Sequence, residues 1–332
     1  MIWLTWRQAR TQTLVALAAL AVAALALVAL GLALREGYRT DLGGCASCVD
    51  GATFSRFKER FDMFLLLADL VLIAVPALAG LFWGAPLVAR ELETGTHRLV
   101  WSQSITRVRW LAVKLSLLTL LTVAVTGAFS LLLTWAASPW DLIMGNWFGA
   151  IEFASRNVAP LGHAAFAFVA GVTIGLLVRR TVPAMAVTLA VFTAVQIAVP
   201  FAVRPHLRSP ITETIAFDAQ NAMKYSEGFS LNQDGQVWVD GYALPGAWML
   251  TGAVQLLFAD GTAPARDVVD ACFRGEGPEK ATSCIQDLDL YLTVTYQPSD
   301  RYWTFQWLEL AGFATLAAAA AGVAFWRVRR VS

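Results

Sequence analysis

Six apolar runs of about 20 residues or more constrain this chain before anything else, because each is long enough to cross a bilayer's hydrocarbon core as a helix. They cover residues 14–34, 63–88, 110–136, 160–178, 182–203 and 304–326. In hydrocarbon every backbone N–H and C=O must find a partner within its own segment or a closed barrel, so runs this long and this uniformly apolar form helices. With 57% hydrophobic and only 15% charged residues, the chain is neither disordered nor an ordinary water-soluble domain. The sequence predicts an all-α polytopic membrane protein with six transmembrane helices. The first run exceeds the 7 to 15 apolar residues of a secretory signal, so it is expected to stay as a span.

Short-loop charge gives the orientation. With the N-terminus in the cytoplasm, the inner segments hold Arg7, Arg10, Arg90, Arg98, Arg107, Arg109, Lys114, Arg179, Arg180, Arg327, Arg329 and Arg330, opposed only by Glu91 and Glu93. The net charge of the whole chain is only +1, which points to no nucleic-acid partner. Tryptophans form matching belts: Trp3, Trp6, Trp83, Trp101, Trp110 and Trp326 inside, and Trp135, Trp140, Trp147, Trp303 and Trp307 outside. All four cysteines, Cys45, Cys48, Cys272 and Cys284, fall in segments this topology places outside, where disulfides form. Three pairings are open, and proximity favours Cys45 with Cys48 and Cys272 with Cys284. The expected address is a plasma membrane, multi-pass, with both termini cytoplasmic.

The chain divides into an N-terminal interfacial helix (1–13), five spans (14–203) with an inner loop at 90–109, an extracytoplasmic domain (204–303), and a last span with a basic tail (304–332). Strand-like alternation at 236–244 and 290–296 implies that the outer segment folds. Residues 246–258 are apolar but too short to span; a strand pair, a buried helix and a re-entrant segment are all open. Gly80 with Gly84, and Gly171 with Gly175, stand at the four-residue spacing that permits close helix approach.

Enzymatic motifs are missing: no phosphate-binding loop, dinucleotide fingerprint, zinc-protease pair or nucleophile elbow is present. Asp69 and Glu309 are the carboxylates well inside apolar runs. Such a residue is a functional candidate, because burying its charge costs at least about 2.5 kcal/mol unless it is paired or hydrated. The plainer reading is that both reach the outer headgroups or each other, in which case Asn and Gln are tolerated there. Three rivals to a transport role stay open: a membrane enzyme using Asp141 or Glu152 near Trp140 and Trp147, an ion-coupled carrier using Asp69, and a sensor.

The inner loop carries the most information. A span runs out through Arg90 into Glu91 and Glu93, breaks at Thr94, Gly95 and Thr96, passes Leu99, Val100 and Trp101, and re-enters through a basic turn that Thr106 is placed to cap. The string Glu91-Leu92-Glu93-Thr94-Gly95-Thr96, then Ser104-Ile105-Thr106-Arg107 and Trp110 to Lys114, resembles the first cytoplasmic loop of type 2 ABC transporter permeases. A Trp-rich start containing Trp3, Trp6 and Arg7, and an end reading Tyr302-Trp303-Thr304-Phe305-Gln306-Trp307-Leu308-Glu309, resemble an actinobacterial branch of that family. The resemblance implies a non-enzymatic permease subunit of an ATP-driven exporter for a hydrophobic or amphipathic cargo (drug, lipid or peptide). It also implies a second permease subunit, homo- or heterodimeric, and a separate ATP-binding cassette ATPase. No cofactor is expected on this chain; ATP and Mg belong to the ATPase, which touches the N-terminal helix and the loop with Arg90, Glu91, Glu93, Thr94, Gly95, Thr96 and Arg107.

Overall fold

The computed structural model describes residues 2–44, 51–95, 106–226, 228–232, 236–274 and 278–330. The described chain forms two compact units. One is helical (1–144, 150–204 and 304–332), and the other is built from 145–149 and 205–303.

The helical unit contains α1 (Ile2–Thr40), α2 (Gly51–Ala79), a π-helical turn (Gly80–Gly84), α3 (Ala85–Glu93), α4 (Arg107–Met144), the short α5 (Ala150–Ser155), α6 (Ala159–Val178) and α7 (Thr181–Ala198). A second π-helical turn (Val199–Val203) and a 3-10 turn (Arg204–His206) follow α7, and α11 (Tyr302–Arg329) ends the unit. Among the described residues six helical stretches are long and apolar enough to cross a membrane, and each contains one of the six apolar runs, wholly or but for a few residues at its end. Residues 2–13 are helical but continue without a break into the first span, giving one 39-residue helix. No Gly or Pro lies between Thr5 and Ala18 to turn the chain.

Packing centres on α6, whose residues are buried along nearly its whole length. Its glycines meet those of the second span. A Cβ on Gly171 would lie 2.4 Å from the Gly80 carbonyl oxygen, and one on Gly175 would lie 2.4 Å from that of Ala85. Reciprocally, a Cβ on Gly80 or Gly84 would lie 2.5 or 2.7 Å from the Ala167 or Phe168 carbonyl oxygen. Both four-residue pairs therefore lie in one crossing, where backbone packs on backbone. The π-helical turn sits at that crossing, and its extra residue re-aims α3 relative to α2.

The second unit holds two three-stranded sheets. β1 (Ile211–Ala216), β6 (Tyr291–Gln297) and β4 (Trp248–Met249) form one in the order β1-β6-β4; β2 (Gly228–Leu231), β3 (Val237–Asp240) and β5 (Ala253–Gln255) form the other in the order β2-β3-β5. Three helices accompany them, α8 (Ala219–Tyr225), α9 (Arg266–Phe273) and α10 (Pro278–Gln286). Phe217, Val239, Leu256, Leu292 and Val294 are core residues. Asp218 caps α8 by accepting from the Gln220 and Asn221 N–H groups. Residues 246–258 contribute β4 and β5, one to each sheet, rather than a helix. Cys272 and Cys284 form a disulfide between α9 and α10 with Cα atoms 5.4 Å apart; Cys45 and Cys48 lie outside the described residues.

The glycine crossing makes a sharp prediction. Gly171→Ala forces Cβ into backbone that cannot swing away and lowers stability by about 1–3 kcal/mol, whereas Gly312→Ala, with nothing within 4 Å of its Cβ, costs nothing. Unfolding of the two variants in detergent measures the difference; equal effects would refute the crossing.

Candidate functional site

Residues 91 and 93 end α3 at what is termed here the loop end of the bundle. Glu91 forms an ion pair with Lys114, about two turns into α4, and Lys114 also lies over the Trp110 ring at 4.8 Å. Glu93 accepts from the Thr181 backbone N–H at 2.9 Å and from its hydroxyl at 2.7 Å. It thereby serves the N-terminus of α7, where helix N–H groups lack intrahelical partners. Arg179, in the left-handed region at φ 59°, closes α6 through its N–H to the Gly175 carbonyl, so α7 can begin after only one further residue. The end of α3 is thus fastened to α4 on one side and to α7 on the other.

Beyond α3 the Thr94 N–H and hydroxyl both donate to the Arg90 carbonyl, and Gly95 turns the chain at φ +77°. A side chain opposes that conformation, though among the described residues nothing within 4 Å would clash with one. Arg90 is exposed, and Arg107 opens α4 one residue after Thr106, whose hydroxyl accepts from the Arg109 N–H. Thr96, with Leu99, Val100 and Trp101, lies outside the described residues. Trp3, Trp6 and Arg7 fall in the first turns of α1.

At the opposite end, where 145–149 and 205–303 leave the helical unit, two buried ionic clusters stand side by side. Arg204 donates Nε and Nη2 to the two oxygens of Glu309 at 2.9 and 3.2 Å, and its guanidinium lies 4.0 Å over the Phe153 ring. His163 Nε2 lies 3.1 Å from the same carboxylate. Arg156 pairs with Asp69 through Nη1 and with Asp141 through Nε at 3.0 Å, while the Ser155 hydroxyl donates to Asp69 at 2.9 Å. Between the clusters, Gln306 Oε1 accepts the Val158 and Ala159 N–H groups, capping α6, and its Nε2 donates to the Phe153 carbonyl. Asp69 and Glu309 are each 4% exposed. They stand in separate clusters, Asp69 with Arg156 and Glu309 with Arg204, and do not pair with each other.

A third feature lies between the two ends. α1, α2 and α4 leave an apolar groove of about 300 Å3, lined among others by Val75, Phe82, Trp83, Thr122, Thr126 and Phe129.

The family model described as ABC-2 membrane transporter related matches residues 17–204, more than half of the chain. The chain belongs to this family. No curated protein and no solved structure matches it. The permease segment so identified runs from the first span through the fifth and stops at Arg204, the residue that pairs with Glu309. Permeases of this kind work with separate ATPase subunits, and the chain is accordingly a membrane-spanning, non-enzymatic transporter subunit.

Sequence reasoning singled out Asp69 and Glu309 but missed their partners Arg156, Arg204 and His163. Arg156 and Arg204 read as outer-loop charges because each sits just outside an apolar run. The available signal was balance: two carboxylates inside spans need cations, and the arginines nearest to the ends of those runs are the ones within reach. Sequence reasoning placed Glu91 and Glu93 in the loop that an ATPase would touch, and within the chain Glu91 pairs with Lys114 and Glu93 with Thr181.

The clusters predict unequal losses. Glu309→Gln leaves Arg204 buried opposite a neutral amide and costs about 3–5 kcal/mol. Asp69→Asn costs less, since Arg156 keeps Asp141. Pairing Glu309→Gln with Arg204→Met recovers much of the loss. A double-mutant cycle on unfolding in detergent reads this coupling, and strictly additive effects would contradict it.

Proposed function

We propose that this permease is one half of an ATP-driven exporter whose energy enters through the end of α3. The observation that carries the reading is the double fastening of α3, by Glu91 to Lys114 and by Glu93 to Thr181. A push on residues 90–107 from a nucleotide-binding subunit cannot stay local, because α3 passes it to the third and fifth spans, and through the glycine crossing to the fourth. Rigid elements joined in this way move as bodies rather than deform.

In this reading the loop end faces the cytoplasm, supported by its arginines, and the 205–303 unit faces outward, supported by its disulfide. A second permease subunit completes the pathway. The cargo is hydrophobic or amphipathic, supported by the composition of the groove between α1, α2 and α4, whose lining is almost wholly apolar while offering Thr122 and Thr126. Drug, lipid and peptide all have that character. The buried carboxylates are saturated by arginine, so they hold the insertion end together and carry no transported proton.

Gly95→Val tests the coupling. The fold tolerates the added volume, while the left-handed turn does not tolerate a β-branched residue. Reconstituted with its ATPase, the variant should insert and unfold like the wild type but lose cargo-dependent ATP hydrolysis and transport. Normal coupling in Gly95→Val would instead show that the energy does not enter through the end of α3.

A further inference from the structure

β1 is the edge of its sheet, and the direction of its free hydrogen-bonding groups is fixed by the strands around it. The Phe217 N–H donates to Leu290 at 2.8 Å, so position 217 and, by alternation, 215, 213 and 211 direct their backbone groups toward β6. Tyr291 spends both of its groups on Leu257, and Thr295 gives its carbonyl to Leu250. The residues opposite these two, Ala216 and Thr212, therefore point their N–H and C=O away from the sheet, as does Thr214 between them. All three residues are exposed.

Natural edge strands are guarded by Pro, Lys, bulges or a covering element. β1, Ile-Thr-Glu-Thr-Ile-Ala, pairs in unbroken register with β6 and has none of the first three. We infer that β1 is an interaction edge that pairs antiparallel with β1 of a second copy of this chain, merging two three-stranded sheets into one of six strands.

Self-complementarity is what selects a second copy. A two-fold axis at Thr214 places Thr214 opposite the partner's Thr214, Thr212 opposite the partner's Ala216, and Glu213 opposite the partner's Ile215. Each outward N–H then meets an outward carbonyl, and the acidic residue never faces its twin. The axis also extends a hydroxyl ladder already present. Thr212 with Thr295 and Thr214 with Thr293 are hydrogen-bonded cross-strand pairs at 3.0 and 2.9 Å, and Thr–Thr pairs of this kind stabilise sheets. The line Thr293–Thr214 would run straight on into the partner's Thr214 and Thr293. Glu213 is held back on the other face by the Tyr296 hydroxyl at 3.0 Å. The inference uses the two-subunit reading above only for the presence of a second copy, and it names an interface which that reading does not.

The test is disulfide trapping in membranes containing the full chain, with the wild type and its native cysteines as background. Under mild oxidation Thr214→Cys should move most of the chain to a cross-linked dimer. Thr293→Cys, on the same exposed face but on the inner strand, should not. A Thr212→Cys/Ala216→Cys chain should also cross-link, and adding Thr214→Lys, which sets two like charges face to face, should abolish that product. Absence of the Thr214→Cys dimer in chains that still couple ATP to transport overturns this interface alone and leaves the permease reading standing. Equal cross-linking by Thr293→Cys, or an adduct with a different protein, overturns it as well.

Discussion

Contact between the backbones of the second and fourth spans is the constraint on which the helical unit depends. Lipid chains are as apolar as leucine, so the hydrophobic effect does not by itself hold membrane helices together, and close packing must. Gly80, Gly84, Gly171 and Gly175 supply it by leaving no Cβ of their own at the points of closest approach. With α6 fixed there, its two ends become reference points. Gln306 and the Arg204–Glu309–His163 cluster define one, and the Arg179 turn with the Glu93 cap defines the other.

Two ionic layers bracket the apolar part of the bundle. Along the second span Asp69 and Glu91 lie roughly 33 Å apart at 1.5 Å per residue, close to the ~30 Å of a hydrocarbon core. Charges buried at these depths are retained only when paired, because an orphaned ion costs far more than the pair yields. The pairs are better read as fixing geometry than as adding stability. Each ties elements that are distant in sequence: α2 to the segment after α5, α11 to the end of the fifth span, and α3 to α4. Arg204 and Glu309 flank the inserted unit in sequence, so their ion pair also closes the root from which that unit departs.

Much of this was legible in the sequence, for identifiable reasons. Spans announce themselves because hydrocarbon admits only long apolar helices, and the six runs fall on the six helices with shifts at the ends. Gly95 was legible because few residues other than glycine accept its φ, and the glycine pairs because their spacing is that of a helix face. What stayed hidden depends on which elements meet. Nothing local in Arg156 or Arg204 distinguishes a loop cation from a buried one, and His163 looks solitary until α11 brings Glu309 beside it. The continuity of α1 was hidden as well, since a Trp- and Arg-rich segment has the same composition in an interfacial helix and in a span that runs on beyond the membrane. The intrachain partners of Glu91 and Glu93 were hidden in the same way, for a carboxylate at a helix end serves an internal cap as readily as a partner.

The proposed function requires that the chain be a half-pathway driven from its loop end by a separate subunit. Purification of the intact chain from its own membranes in mild detergent tests that claim most directly. The account predicts that a separate ATP-binding cassette subunit is retained in fixed stoichiometry and that vesicles containing both move an amphipathic cargo only when ATP is hydrolysed. A chain that purifies alone, and whose transport follows a proton gradient without ATP, would contradict it.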